Sequence, residues 1–375
     1  MKITLDTTTL AGELFKLQGI VNSKSTLPIL HNALLEADAE GNLSLHATDL
    51  DVSVSTQVQA DVEKPGRIAV RARDLYDAVK NLRSQTVTLE REDNLWVQLT
   101  AGTVKARLVG MDPTEFPQLQ GADDVSFLKV PTGKFVRMID RTLFSISTDE
   151  ARPNLTGALL KRAEGGLQMV STDGHRLSMC RVDVDLADAP EKLHERDVII
   201  PRKGLSELRR TVDLTKETLE LGLVGSSIVF RHGNTTLFVR LIEGTFPVVN
   251  SVLPKEEDDR KSIVDRTELV GRIKFVSLFA NSRTNNLTLT MEDGTCTISA
   301  QDPDKGECRE QVPVNYSGQS AKAGYNYKFL LDVLNVLDTE QVAIEIIDTV
   351  SPTVIRDVAG EPNEEALFIV MPMRL

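Results

Sequence analysis

Gly41-Asn-Leu-Ser-Leu-His-Ala-Thr-Asp49 returns twice further along the chain, as Gly166-Leu-Gln-Met-Val-Ser-Thr-Asp173 and as Gly294-Thr-Cys-Thr-Ile-Ser-Ala-Gln-Asp302. Each copy opens on glycine, alternates apolar and polar residues, and closes on aspartate. That pattern reads as a strand with one buried face that runs into a tight turn. The closing aspartate is suited to accept the backbone N–H groups of the turn. Three copies in 375 residues make internal repetition the first question to settle.

Working outward from these copies, the same order of elements recurs around each. Upstream lie a short strand and an amphipathic helix. Leu10, Leu14, Leu17 and Val21 form the apolar stripe in the first repeat, Phe135, Ile139 and Leu143 in the second, and Leu269, Ile273, Val276 and Ala280 in the third. Steps of three and four residues mark one buried helix face. Downstream comes a second helix, Leu75 to Leu82, Leu205 to Val212 and Leu330 to Leu337, whose starts lie 130 and 125 residues apart. The first two repeats close on Glu115-Phe116-Pro117 and Thr245-Phe246-Pro247, and the last on Met371-Pro372-Met373. The expected fold class is α+β, with three domains of one fold, each of two helices plus antiparallel sheets. The expected boundaries are 1–124, 125–252 and 253–375, with solvated linkers at Gly121-Ala-Asp-Asp124 and Pro254-Lys-Glu-Glu-Asp-Asp259. Repeats this long are not a solenoid. They can build an arc, and two arcs joined head to tail close a ring if the rotation closes.

The chain carries 43 Lys and Arg against 55 Asp and Glu, a net charge of −12. A protein that holds DNA by neutralising phosphates is ordinarily basic, so the overall charge argues against a tight, sequence-specific DNA reader. It is compatible with a protein held on DNA by topology. Three cysteines, Cys180, Cys296 and Cys308, form no CxxC pair, which suggests inert thiols in a reducing cytoplasm. No apolar run reaches membrane-spanning length, and the N-terminus alternates like a strand and lacks a signal-peptide core.

Enzymatic motifs are sparse. Leu128 stands where a phosphate-binding loop ending at Gly133-Lys134 would need glycine. No HExxH is present, and the five histidines, His31, His46, His175, His194 and His232, are scattered. No cofactor and no metal is therefore expected. Asp173 and His175 are the one catalytic temptation. Thr-Asp, however, recurs at Thr48-Asp49 and so belongs to the fold, and sequence neighbours rarely form a base and its orienting acid. What is particular to the second repeat is Gly174-His175-Arg176-Leu177, a decorated loop that reads as a grafted binding site.

Over its whole length the chain resembles the bacterial beta sliding clamps, the processivity subunits of the replicative DNA polymerase III. The resemblance rests on Thr26-Leu27-Pro28-Ile29-Leu30, Ala72-Arg73-Asp74-Leu75, Thr172-Asp173-Gly174-His175-Arg176-Leu177 and Pro201-Arg202-Lys203-Gly204. Further along it includes Phe246-Pro247, Val252-Leu253-Pro254-Lys255 and the C-terminal Val370-Met371-Pro372-Met373-Arg374-Leu375. It implies a DNA-clamp fold and a head-to-tail dimeric ring around duplex DNA, with no enzymatic activity. It also implies a hydrophobic groove that takes short linear motifs of the replicative polymerase, the clamp loader, other polymerases and repair proteins. By position, that groove would use Leu155, Thr172, Gly174, His175, Arg176, Leu177, Pro247, Val252, Val350, Ser351, Ile369, Met371, Pro372, Met373, Arg374 and Leu375. The two methionines would give adaptable walls, and Arg176 and Arg374 would hold acidic or polar peptide ends.

The helix segments are rich in cations, among them Lys16, Arg71, Arg83, Lys134, Arg209, Arg210, Arg266, Arg272 and Lys274. Lys24, Arg73, Lys80, Arg137, Arg141, Arg152, Arg202 and Lys203 are the candidate DNA contacts. Phosphate contacts carry no sequence information, so such a lining allows sliding. The resemblance also implies the subunit joint: by position it would set Lys105, Arg107 and Leu108 on the 103–109 edge strand against Leu278, Phe279, Glu307 and Glu310 of a second copy, an apolar and basic edge against an apolar and acidic one. Leu108→Lys with Phe279→Lys should then give a monomer. Two departures stand out: Ser251 where the best-known clamps have arginine, and Pro153-Asn154 where some have two tyrosines. Two other classes remain as alternatives, a hydrolase that loses activity in His175→Ala and a monomeric peptide-binding scaffold with no use for the basic helices.

Overall fold

The computed structural model of the chain describes residues 1–21, 25–122, 125–187, 189, 197–249, 253, 260–358 and 364–374. Lys24, Ser251, Val252, Leu375 and the stretch 254–259 lie outside the described residues. Six α-helices are found among those described: α1 (Thr7–Leu17), α2 (Ala72–Lys80), α3 (Thr132–Thr142), α4 (Arg202–Thr211), α5 (Arg266–Val276) and α6 (Tyr327–Val336). They come in three pairs, one pair per repeat.

Local chemistry accounts for the helix starts. Asp6 accepts the Thr9 amide at 2.7 Å, Asp265 accepts that of Glu268 at 2.7 Å, and Asn326 accepts that of Lys328 at 3.1 Å. Each cap satisfies one of the amides that a helix N-terminus leaves open. α2, α4 and α6 begin three residues before the apolar residues that marked them, and of these three α6 has the Asn326 cap. The stripes face inward as expected: Leu10, Leu14 and Leu17 are buried, as are Phe135, Ile139, Leu269, Ile273 and Val276. In the third repeat the α5 stripe and Leu330, Val333 and Leu334 of α6 close over Leu287, Leu289, Cys296, Ile298 and Tyr325. Each fully buried aliphatic side chain there contributes about 1.5–3 kcal/mol.

The strands are antiparallel throughout, and they form two sheets that run across repeat boundaries. One, of 13 strands among the described residues, joins the first repeat to half of the second, because Val52–Gln59 pairs with Thr235–Arg240 (Val54 opposite Leu237, Thr56 opposite Thr235). The other, of 12 strands, joins the remaining half of the second repeat to the third, because Arg176–Asp183 pairs with Glu364–Val370 (Leu177 opposite Ile369, Cys180 opposite Ala366). The chain accordingly resolves into two compact units. One is built chiefly of Met1–Gly133 and Lys203–Leu241, the other chiefly of Lys134–Ala187 and Ile242–Leu375. The central repeat contributes strands to both.

Burial sets the state of the cysteines. It pushes the Cys180 thiol up to about 11 and the Cys296 thiol up to about 12, whereas Cys308 is half-buried on the Gly306–Asn315 strand. Only thiolate reacts with a disulfide reagent. In native protein at pH 8, Ellman's reagent should therefore leave Cys180 and Cys296 unlabelled, and reach all three thiols only after denaturation. Rapid native labelling of more than one cysteine would contradict this burial.

Candidate functional site

The decorated loop of the second repeat is held by its own backbone. Asp173 Oδ1 accepts the amides of His175 (2.9 Å) and Arg176 (3.0 Å), and Thr172 Oγ1 accepts that of Gly174 (3.1 Å) and donates to Arg176 O (2.7 Å). Asp49 and Asp302 make the matching turn bonds to the amides of Val52 (2.7 Å) and Asp304 (3.0 Å). Asp173 is thus the turn-forming aspartate of the repeat. Its second oxygen takes Arg176 Nε at 3.0 Å, while the His175 ring stacks on Phe329 with centroids 6.4 Å apart. The carboxylate orients no imidazole, so the catalytic pairing does not form. Gly174 has a φ of +91°, in the left-handed region that favours glycine.

Arg176 was expected to meet peptide ends, and the structure corrects this. Its guanidinium binds Asp173, Asp332 at 2.5 Å and Phe144 O at 2.6 Å, and lies over the Phe329 ring at 4.4 Å and the Phe144 ring at 5.3 Å. Every face of the group is occupied, so it acts as a strut that fixes the loop. Removing it strands two carboxylates and a carbonyl. Arg176→Met should lower the unfolding free energy by roughly 2–3 kcal/mol in a denaturant titration. An unchanged midpoint would remove the strut role. Arg374, by contrast, is exposed.

Beneath the loop, Leu155, Leu177 and Ile369 belong to one apolar cluster with Leu159, Val170, Ile199, Phe246 and Val249. Met179, Ile242, Leu253 and Leu367 pack against it from its margins. Pro247 is exposed beside it, and Pro372 and Met373 are half-buried. Met371 is 36 % exposed and Val350 70 % exposed. The C-terminal segment is tied down at two points, Met371 N to His175 O (2.8 Å) and Met373 N to Gly324 O (2.7 Å). Asp348 shapes the approach by accepting the amides of Val350 (2.7 Å) and Ser351 (2.6 Å), bonds that hold its carboxyl below the usual carboxylate range. Ser351 in turn leads into Thr353, which pairs with Val370. The loop, the tail and the apolar floor thus converge, and all three lie within the second compact unit. Sequence reading missed Phe144, Phe329 and Asp332, which carry no local signal. Val249 was legible as the counterpart of Leu119, since each lies three residues beyond the Phe of Phe-Pro.

The two strand edges are partial. Val104–Met111 pairs on one side with its full hairpin partner and on the other only through Gly110 and Met111. Its 104–109 stretch is open on that side, with Val104 and Val109 exposed and Leu108 half-buried. Gly306–Asn315 is likewise open on one side except at Val314 and Asn315. Near it Leu278 is 65 % exposed, while Phe279 packs against the core with its ring 6.3 Å from that of Phe275. The expected charge pairing across copies needs correction. Arg107 is already bound to Glu92 and lies over Trp96, and Glu310 is already bound to Arg272 at 3.0 Å. Lys105 and Glu307 have no ion-pair partner among the described residues.

The candidate DNA contacts also divide. Arg141 is 4 % exposed and is enclosed by Asp357 (3.1 Å), Asp338 (3.3 Å) and Glu364. It is a buried structural cation and offers DNA no surface. Arg73 is largely exposed, and Lys80, Arg152 and Lys203 sit at the surface beside Asp77, Asp149 and Asp49. Arg137 is about one-third exposed and bonds Glu364 at 3.2 Å, and Arg202 donates to Ile146 O at 3.0 Å. Arg210 and Arg266 are spent on backbone carbonyls at helix ends.

A threefold repeated α+β scaffold, with a convergent apolar floor and an acid–histidine pair committed to turn formation and stacking, defines a non-enzymatic interaction platform. Comparison with known proteins specifies which one. The DNA polymerase III beta subunit models match in chain order, the N-terminal domain over residues 1–120, the central domain over 129–248 and the C-terminal domain over 250–374. The beta sliding clamp of Pseudomonas aeruginosa is 33% identical and that of Escherichia coli K12 is 31% identical, each over 100% of both chains. Among solved structures, a P. aeruginosa sliding clamp bound to griselimycin matches with a TM-score of 0.91 at 32% identity, covering 100% of each chain. The Bacillus subtilis sliding clamp gives 0.91 at 27% identity over 100% of this chain and 99% of that one. The chain belongs to the bacterial DNA polymerase III beta-subunit family, the beta sliding clamps, and is a non-catalytic processivity subunit built of three clamp domains.

Proposed function

We propose that two copies of this chain join head to tail in the cytoplasm and enclose duplex DNA, which they hold by topology and not by sequence. The three domains fall at 1–124, 125–252 and 253–375. The observation that carries the joint is the pair of half-open strands: Gly306–Asn315 follows the turn of the third repeat and Val104–Met111 ends the first, the two complementary places that pair within the chain as Val52–Gln59 with Thr235–Arg240 and Arg176–Asp183 with Glu364–Val370. Strand pairing there satisfies the free backbone groups and buries Val104, Val109 and Leu278. Lys105 and Glu307 supply the charge complement. Arg73, Lys80, Arg137, Arg152, Arg202 and Lys203 face the DNA; Lys24, a candidate from the sequence, lies outside the described residues. Carboxylates next to most of these cations weaken their hold on phosphate, which suits sliding.

The apolar floor around Leu155, Leu177 and Ile369, rimmed by Thr172, Gly174, His175, Pro247, Val350, Ser351 and Met371 to Arg374, takes short linear segments of the polymerase, the clamp loader and repair proteins; Val252 and Leu375, candidates from the sequence, lie outside the described residues. Arg176 supports that rim from behind. Sedimentation checks the assembly: at micromolar concentration the native mass should be twice the 41.4 kDa of one chain. A single-chain mass at that concentration would contradict the ring.

A further inference from the structure

The loop that carries Gly174 and His175 has a twin in the first repeat. Thr48 Oγ1 accepts the Leu50 amide at 3.0 Å, as Thr172 Oγ1 accepts that of Gly174 at 3.1 Å. Asp49 Oδ1 accepts the amides of Asp51 (3.1 Å) and Val52 (2.7 Å), as Asp173 Oδ1 accepts those of His175 (2.9 Å) and Arg176 (3.0 Å). The strand after each turn pairs with the last strand of the following repeat: Val52–Gln59 with Thr235–Arg240, and Arg176–Asp183 with Glu364–Val370. Phe116-Pro117 stands where Phe246-Pro247 stands. The same scaffold parts therefore bound a second cavity, of about 220 Å³, within the first compact unit. Leu50, Leu119 and Phe238 give it an apolar wall, and Asp51 and Arg240 stand at its exposed rim.

Leu50 is the second observation. Its φ is +82°, where its counterpart Gly174 has +91°. A side chain in that half of backbone space is strained by its own Cβ, and Leu50 gains no burial in return, being 56 % exposed. Strained residues of this kind cluster at ligand clamps. Asp51 and Arg240 have no ion-pair partner among the described residues, so the rim presents one free acid and one free base. The volume is below that of a site for a drug-sized ligand, and it suits single side chains of an extended peptide.

We propose that this cavity is a second docking site, for a short extended peptide with a leucine-sized residue between a cationic and an anionic one. The apolar side chain lies against Leu50, Leu119 and Phe238, the cation at Asp51 and the anion at Arg240. The inference leans on the C-terminal groove reading only for the extended form of the ligand.

The test uses the full chain with methyl-labelled leucines. The probe is a panel of acetylated, amidated heptapeptides with a central leucine, lysine on one side and glutamate on the other, in both orders. Saturable shifts at the Leu50 and Leu119 methyls are expected. Affinity should fall at least tenfold in Leu50→Gly, whose melting temperature is unchanged or raised, and at least tenfold in Asp51→Lys. The proposal is overturned if no peptide moves Leu50 and Leu119, or if Asp51→Lys binds as tightly as the parent. Shifts confined to Leu155 and Leu177 would also overturn it, and would leave the C-terminal groove reading intact.

Discussion

Leu278→Lys is expected to convert the sedimenting species from a dimer to a single 41.4 kDa chain and to abolish retention on closed DNA. Leu278 is 65 % exposed in the protomer, so the substitution disturbs nothing inside one chain. In the head-to-tail dimer it stands in both joints. Losing a buried leucine and burying a lysine costs on the order of 3 kcal/mol at each, or roughly 10⁴-fold in the dissociation constant for the two together. Phe279→Lys, one half of the double variant with Leu108→Lys that the sequence suggested, is less clean because Phe279 packs against the core of the third repeat. Melting behaviour separates the two cases: Leu278→Lys should leave the protomer's unfolding unchanged, whereas Phe279→Lys should lower it. A Leu278→Lys protein that still sediments as a dimer at nanomolar concentration would remove the joint from this surface.

Truncation after Met371 carries the second large effect. It keeps the Met371 amide bonded to His175 O and removes the pairing of Met373 with Gly324. It also removes the soft wall beside the floor of Leu155, Leu177 and Ile369. Two anchoring contacts of about 1.5 kcal/mol each are lost, so binding of a short linear peptide that the proposed groove takes should weaken about 100-fold or more. The dimer mass should not change, since the tail and the strand edges belong to different surfaces. Unaltered binding in isothermal titration calorimetry would place the ligand elsewhere.

Much of this was legible from single residues. Asp49, Asp173 and Asp302 announced three equivalent turns, and each closes one through its carboxylate. The stripes at Leu10, Phe135 and Leu269 located one helix of each pair, because a buried face is written locally at three- and four-residue steps. Pairings over long separations were not legible. Arg141 reads as a surface cation until Asp338, Asp357 and Glu364 arrive from some two hundred residues away and bury it. Arg176 reads as a peptide anchor until Phe329 and Asp332 close on it. The sheets that cross the repeat boundaries escaped for the same reason: nothing near Val52 or Arg176 specifies which distant strand will lie alongside. Leu50 escaped because composition gives no warning of a positive φ at a residue other than glycine.

One measurement bears most directly on the ring. The protein is loaded onto a nicked circular duplex by its cognate loader with ATP, with loader activity and dimer mass verified beforehand. The circle is then cut once with a restriction nuclease. A closed ring stays on the circle and slides off the linear product within the time of the cut. Equal retention on circular and linear DNA would mean ordinary affinity for the duplex, and would contradict enclosure.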